Sequence, residues 1–134
     1  MKVKFELEIE KLSAEHASTA VRAALETLVV INQVFLKENP DTPGLYDLVS
    51  SGKVAQRRGQ GASEAWSDIP HVLSVGSADA VDLVCWRVAE LRAAGYEDVA
   101  PYIKTVVDEK TNARIHQVLV RVGDCIEDPS KLVA

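Results

Sequence analysis

The residues of this chain that could carry covalent chemistry are few. They are two cysteines, Cys85 and Cys125, a histidine in a strand-like segment, His116, and an acidic residue before a proline, Asp128. A thiolate or an activated serine attacks a carbonyl carbon, a histidine accepts its proton, and a carboxylate orients the histidine. Two cysteines define neither a disulfide framework nor a metal-ligand set. Ser77, in a loop of small residues, is the hydroxyl best placed to substitute for a thiol.

A loop of small residues leads into an amphipathic helix in the middle of the chain. Asp79 is the predicted N-cap, Asp82 completes a short capping box, and Gly95 ends the helix. The free N–H groups and the dipole of a helix N-terminus favour a thiolate. The first turn here carries Ala80 instead. Cys85 lies five residues later on the apolar face and is predicted to be a core residue.

The N-terminal third of the chain predicts a strand followed by a long helix. Residues 2–10 alternate between apolar and charged side chains, which is typical of a half-buried strand at a sheet edge. Ser13 is the predicted N-cap of a helix that ends at Asn39 and Pro40. Consecutive apolar residues at 29–31 widen its apolar stripe, and this predicts a helix that is covered on more than one side.

The next segment, residues 39–65, is predicted to be a loop because glycine, serine and proline recur along it. Leu45, Tyr46 and Leu48 are expected to fix part of this loop to the core. Arg57, in its Gly/Ser-rich portion, is expected to be solvated.

The C-terminal half predicts an antiparallel meander. Strands are expected at residues 99–107, 115–122 and 125–128, joined by polar turns. His116 shares a strand face with three valines, so it is either a core histidine or a group aimed at a site. A two-residue turn at 123–124 would put Asp128 opposite Leu119, about 10 Å along the strand from His116, and a longer turn or a bulge would bring the pair closer.

This order of elements predicts an α+β fold in which helices pack on one side of a small antiparallel sheet. At 134 residues the chain is long enough for one domain with its own core, residues 1–134. A net charge of −5 argues against nucleic-acid binding. We find no signal peptide and no apolar run of membrane-spanning length, so neither export by that route nor a membrane partner is expected.

Several short motifs occur together in a specific order. They are Trp-Ser-Asp-Ile-Pro at 66–70, Asp-Ala-Val-Asp-Leu at 79–83, Trp-Arg-Val-Ala-Glu-Leu-Arg at 86–92, His116, and Glu-Asp-Pro-Ser at 127–130. In this order they resemble a small transglutaminase-like family encoded in tailed-phage genomes, a branch of the papain-like cysteine enzymes. The resemblance implies a transglutaminase/papain-like core over residues 66–134, preceded by the strand and helix of residues 1–38 and the loop of 39–65.

The resemblance also implies roles for three residues. The nucleophile position is Ala80, the base is His116, and the group that orients the base is Asp128. A methyl group cannot attack a carbonyl, so cysteine-type catalysis is expected to be lost. At the positions of the family's glutamate and glycine this chain has Val81 and Ala78. Together with Ala80 these are three departures within residues 78–81. We interpret them as natural loss of the site rather than as a single designed substitution.

The function that this resemblance implies is that of a catalytically inactive phage protein with a structural or assembly role. Its expected partners are capsid, connector or tail proteins and a second copy of itself, in the virion or the host cytoplasm, with no cofactor and no metal. The alternative is a hydrolase or acyltransferase that uses another nucleophile or has a cysteine-bearing native form. A third interpretation discards the family and leaves an α+β domain with a core histidine.

Overall fold

The computed structural model describes residues 12–57 and 65–132, in which most helices precede a three-stranded meander. The elements are α1 (Ala14–Glu38), α2 (Leu45–Ser50), β1 (Ala55–Gln56), α3 (Ile69–Val75), β2 (Ser77–Ala78), α4 (Ala80–Ala93), β3 (Val99–Val107), β4 (Arg114–Val122), β5 (Cys125–Glu127) and a 3₁₀ helix (Pro129–Leu132). This mixture of helices and strands confirms the α+β class. The strand predicted at residues 2–10 lies outside the described residues.

The long helix α1 packs against α4 along one side. The Ser13 hydroxyl accepts a hydrogen bond from the His16 N–H at 3.2 Å, which confirms the predicted N-cap. The main core cluster contains both helices and the sheet: Leu25, Leu28, Val29, Val84, Cys85, Val88, Ala89, Leu91, Val99 and Val120. The expectation that α1 is covered on more than one side is wrong, because Val30 and Ile31 remain 52% and 43% exposed.

By length and composition α1 could cross a membrane, with a mean hydropathy of 1.4 over its most apolar 18-residue window. The expectation of no membrane partner stays a prediction. Of this window, 22% is buried inside the protein, where Leu25, Leu28 and Val29 face the core. Core helices of folded domains and signal sequences satisfy the same two criteria, so length and composition alone do not identify a membrane span.

The sheet is an antiparallel meander with the strand order β3-β4-β5. Its register pairs Val99 with Val122 and Thr105 with His116, and the short strand β5 pairs Val120 with Glu127. Val99 and Val120 are buried in the core cluster that α1 and α4 share. The meander and the helical layer on it are therefore as predicted.

A second core cluster lies under the segment predicted to be a loop. That prediction is wrong for residues 45–50, which form α2, because Leu45 and Leu48 lie three residues apart and are both buried beside Trp86. The backbone N–H of Leu45 donates to the Glu90 carboxylate of α4 at 2.7 Å, which satisfies a free donor at the start of α2. Residues 58–64 of the predicted loop lie outside the described residues.

The two shortest strands bring the end of this segment to the start of α4. β1 and β2 pair in parallel, with Ala55 opposite Ser77. Gly76 caps α3 in the left-handed region at φ 78°, and its carbonyl accepts from the Ala55 N–H at 3.0 Å. Any other residue would be strained at this φ, so the glycine fixes how the chain turns from α3 towards α4.

Candidate functional site

The N-terminus of α4 has the predicted geometry. Asp79 is the N-cap and Ala80 is the first helical residue, half-buried. The Asp79 backbone N–H donates to the Asp82 carboxylate at 3.0 Å, as the second half of a capping box requires. The position that the resemblance assigns to the nucleophile is thus at a helix N-terminus, where a thiolate would be stabilised, but its side chain is a methyl group.

Asp82 connects three segments at this helix end. Its carboxylate also accepts from the Ser67 backbone N–H at 2.7 Å and from the Arg57 guanidinium at 3.2 Å. Burial raises the pKa of Asp82, and the hydrogen bonds from Ser67 and Asp79 and the charge of Arg57 oppose that shift. Arg57 also lies 3.6 Å from the Asp79 carboxylate, and its side chain is 40% exposed, so the expectation of a solvated Arg57 is confirmed although it forms an ion pair. The sequence does not predict the contact of Arg57 with Asp79 and Asp82, because only the pairing of β1 with β2 brings Arg57 to the start of α4.

The two cysteines lie in different environments. Cys85 is fully buried, and its thiol donates to the Leu25 carbonyl at 3.7 Å. Burial raises the pKa of the Cys85 thiol, and the nearby carboxylates of Asp82 and Glu26 raise it further. A thiol that stays protonated is a poor nucleophile, so the prediction of a core cysteine is confirmed. Cys125 is exposed at the start of β5.

His116 lies on β4, but its side chain is exposed. It shares a strand face with Val118 and Val120, which pack in the core, and lies beyond the part of the sheet that the helices cover. Its Nδ1 is 3.0 Å from the hydroxyl of Thr105, the residue opposite it on β3. The interpretation of His116 as a core histidine is therefore wrong.

Asp128 follows β5 and is engaged locally. Its carboxylate accepts from the Ser130 backbone N–H at 3.0 Å and from the Ser130 hydroxyl at 2.6 Å. Because Val120 pairs with Glu127, Asp128 lies opposite Leu119, three residues from His116. That is about 10 Å along the strand, so the structure does not bring Asp128 to His116.

Two arginines in the C-terminal half of α4 join this helix to the sheet. Arg92 donates to the carbonyl of Val99 at the Val122 end of the sheet, and Arg87 donates to Glu127, opposite Val120. Neither contact involves Ala80, which lies at the opposite end of the helix. The assignment of Ala80, His116 and Asp128 to one vestigial site remains a prediction.

A polar network that sequence reasoning missed joins α2, α4 and β5. Arg87 donates to Glu127 at 2.7 Å and to Glu90 at 3.3 Å, and its guanidinium lies 4.5 Å from the centre of the Tyr46 ring. The Tyr46 hydroxyl also donates to Glu127. Burial raises the pKa of both Glu90 and Glu127. The three-residue spacing of Arg87 and Glu90 was visible in the sequence, but Glu127 joins them only through the meander.

The side-chain clusters around Asp82 and Arg87 can stabilise and orient the segments that they join. Each hydrogen-bond donor named in these two clusters has an acceptor within the protein. Among residues 12–57 and 65–132, no group of three or more His, Cys, Asp or Glu side chains could hold a metal ion. Comparisons of the chain with protein-family models, with curated proteins and with solved structures found no match.

Proposed function

We propose that this chain is a catalytically inactive transglutaminase-like domain that serves as a structural or assembly component of a phage particle. One observation carries the proposal. The first residue of α4, where a cysteine would gain most from the helix N-terminus, is Ala80. The papain-like core and the phage setting rest on the motif order described above, and the partners would be capsid, connector or tail proteins.

The surroundings of the other two residues support the absence of catalysis. His116 faces Thr105 across the strand pair, and Asp128 accepts two hydrogen bonds from Ser130. Neither residue contacts the other in this register, so no base is oriented towards a substitute nucleophile. Ser77 belongs to β2 and Cys85 is buried, which disfavours both as replacements.

The test is covalent labelling of the full chain with a thiol-directed acrylamide and with a serine-directed fluorophosphonate, read by mass spectrometry. We expect the thiol probe to label the exposed Cys125 at the same rate in the wild type and in His116→Ala. We expect the serine probe to label neither protein. Labelling that is lost in His116→Ala would overturn the proposal in favour of a hydrolase or acyltransferase with another nucleophile.

A second variant tests the assignment of the vestigial site. In Ala80→Cys with Cys125→Ser, the family geometry predicts thiol labelling that slows at least several-fold when His116 is also changed to Ala. Equal rates in the two variants would reject the transglutaminase-like assignment, and circular dichroism of both establishes that the fold is retained.

A further inference from the structure

The outer side of α1 carries a regular apolar seam. Ala20, Ala23, Thr27, Val30 and Val34 follow one another at alternating intervals of three and four residues. Val30 and Val34 are 52% and 51% exposed, and Ile31 beside them is 43% exposed. The Thr27 hydroxyl donates to the Ala23 carbonyl at 2.9 Å, so it needs no partner from outside the helix. Seams with this spacing are typical of helices that pack along each other.

Both end turns of α1 carry charged side chains. Glu15 lies in the first turn, and Lys37 and Glu38 lie in the last turn. If two copies of α1 lie antiparallel, each Glu15 faces the Lys37 of the other copy, and the two helix dipoles also oppose each other. A parallel pair would instead place the two Glu15 carboxylates side by side and align the two dipoles. Charge complementarity therefore favours an antiparallel arrangement.

The ends of α1 are also complementary in shape. An open cavity of about 700 Å³ lies at the C-terminal end of the helix, lined in part by Val34, Asn39, Pro40 and Thr42. At the opposite end Leu12 precedes the N-cap and is 39% exposed. A register that sets Glu15 against Lys37 brings Leu12 of one copy to residues 40–42 of the other. Because the pair has two-fold symmetry, this contact between Leu12 and the cavity forms twice.

We infer that this face of α1 is the contact surface for a second copy of the chain, with a two-fold axis passing near Thr27. A helix of 25 residues is about 37 Å long and 10 Å wide, so it covers on the order of 400 Å² per copy. This is about half of the area per partner in a standard stable interface. The dimer is therefore a weak one, with a dissociation constant in the micromolar range or above. This inference rests on the proposed function, and it names a second copy of the chain as one of the expected partners.

The first test is sedimentation velocity of the full chain from about 10 µM to 1 mM. We expect the sedimentation coefficient of the wild type to rise with concentration towards that of a dimer. Val30→Lys should hold the protein at the monomer value over the same range. Val107→Lys is the matched control, because Val107 is also 52% exposed but lies on β3, and it should behave like the wild type.

Charge and cross-linking variants test the orientation. Glu15→Lys and Lys37→Glu should each weaken the dimer at least several-fold, and the double variant should restore it. In a Cys125→Ser background, Ala20→Cys mixed with Val34→Cys should form a disulfide-linked heterodimer, while each alone should form far less. A parallel pair would give the opposite cross-linking pattern and would overturn the inferred arrangement.

The main competing occupant of this face is a lipid surface. Co-sedimentation with vesicles of phosphatidylcholine and phosphatidylglycerol that is lost in Val30→Lys, with a wild type that stays monomeric at 1 mM, would overturn the inference. Failure of the dimer leaves the covalent labelling results unchanged, and His116-dependent labelling leaves the sedimentation results unchanged. The two proposals therefore fail separately.

Discussion

The Ser130 hydroxyl lies 2.6 Å from the Asp128 carboxylate, and it donates to the same oxygen that accepts from the Ser130 backbone N–H. This pair closes the turn between β5 and the C-terminal 3₁₀ helix. In the transglutaminase-like interpretation Asp128 would orient a histidine, whereas here it caps the segment that follows. The interaction gives the Asp-Pro-Ser motif a structural role that does not depend on catalysis.

Ser130→Ala should therefore destabilise the protein by about 0.5–1.5 kcal/mol, the usual net contribution of one hydrogen bond. Urea unfolding followed by tryptophan fluorescence measures the change. Ser74→Ala is the control, because Ser74 is exposed on α3 and should alter stability by less than about 0.5 kcal/mol. Equal effects of the two substitutions would show that the Asp128 turn contributes nothing measurable.

Removal of the Asp82 carboxylate should have a larger effect. Asp82→Ala leaves the backbone N–H groups of Ser67 and Asp79 without an acceptor and Arg57 without its nearer carboxylate. We expect a loss of about 2–4 kcal/mol, because an N–H group left without an acceptor costs about 1–3 kcal/mol, whereas Arg57 is 40% exposed and can be solvated.

Asp82→Asn should cost less than Asp82→Ala, because the amide oxygen can still accept one of these hydrogen bonds. Both values come from urea unfolding at pH 7. A change below 1 kcal/mol in Asp82→Ala would contradict the view that this carboxylate joins the three segments at the start of α4.

Much of the fold was predictable because local signals and tertiary packing agree. Ser13 caps α1 and Asp79 caps α4 as the sequence predicts, and the bounds of β3 match the strand predicted at residues 99–107. In each case the capping side chain or the apolar spacing is contained within a few residues. Such elements can be identified without knowing their neighbours.

The errors arise where a distant contact decides the outcome. α2 forms among turn-rich residues because Leu45 and Leu48 reach the second core and Glu90 caps the Leu45 N–H. His116 has an apolar strand pattern, yet the helices do not extend far enough along the sheet to cover it. The sequence pattern predicts which face of a strand a side chain lies on. It does not predict how much of that face the helices cover.

Asn32 provides a third test, since it is a buried polar residue that links two helices. Its side-chain oxygen accepts from the Ile69 backbone N–H at 3.0 Å at the start of α3, and its Nδ2 has no hydrogen-bond partner among the described residues. Asn32→Ala should destabilise the protein by about 1–3 kcal/mol, because the Ile69 N–H would be buried without an acceptor.

Thermal unfolding followed by circular dichroism measures this change, with Thr19→Ala on the exposed side of α1 as the control. Asn32→Leu fills the volume but also lacks the acceptor, so it should recover only part of the loss. Full recovery of stability in Asn32→Leu would show that packing, rather than the hydrogen bond to Ile69, determines the cost.

The last prediction concerns pH and the carboxyl of Glu90. Burial raises the pKa of Glu90, although hydrogen bonds from Leu45 and Arg87 oppose the shift. The folded state therefore keeps the proton to a higher pH than the unfolded state does. The contribution of Glu90 to stability is fully present below its unfolded pKa, about 4.3, and is lost as pH rises through the folded pKa.

The difference in free energy of unfolding between the wild type and Glu90→Gln should accordingly fall as pH rises from about 4 to 7, since glutamine does not titrate. Urea unfolding at several pH values measures it for both proteins, which cancels the titration of groups that do not interact with Glu90. Glu127→Gln should show the same sign, because burial also raises the pKa of Glu127. A difference that grows with pH would mean that Leu45 and Arg87 outweigh burial and hold Glu90 ionised in the network.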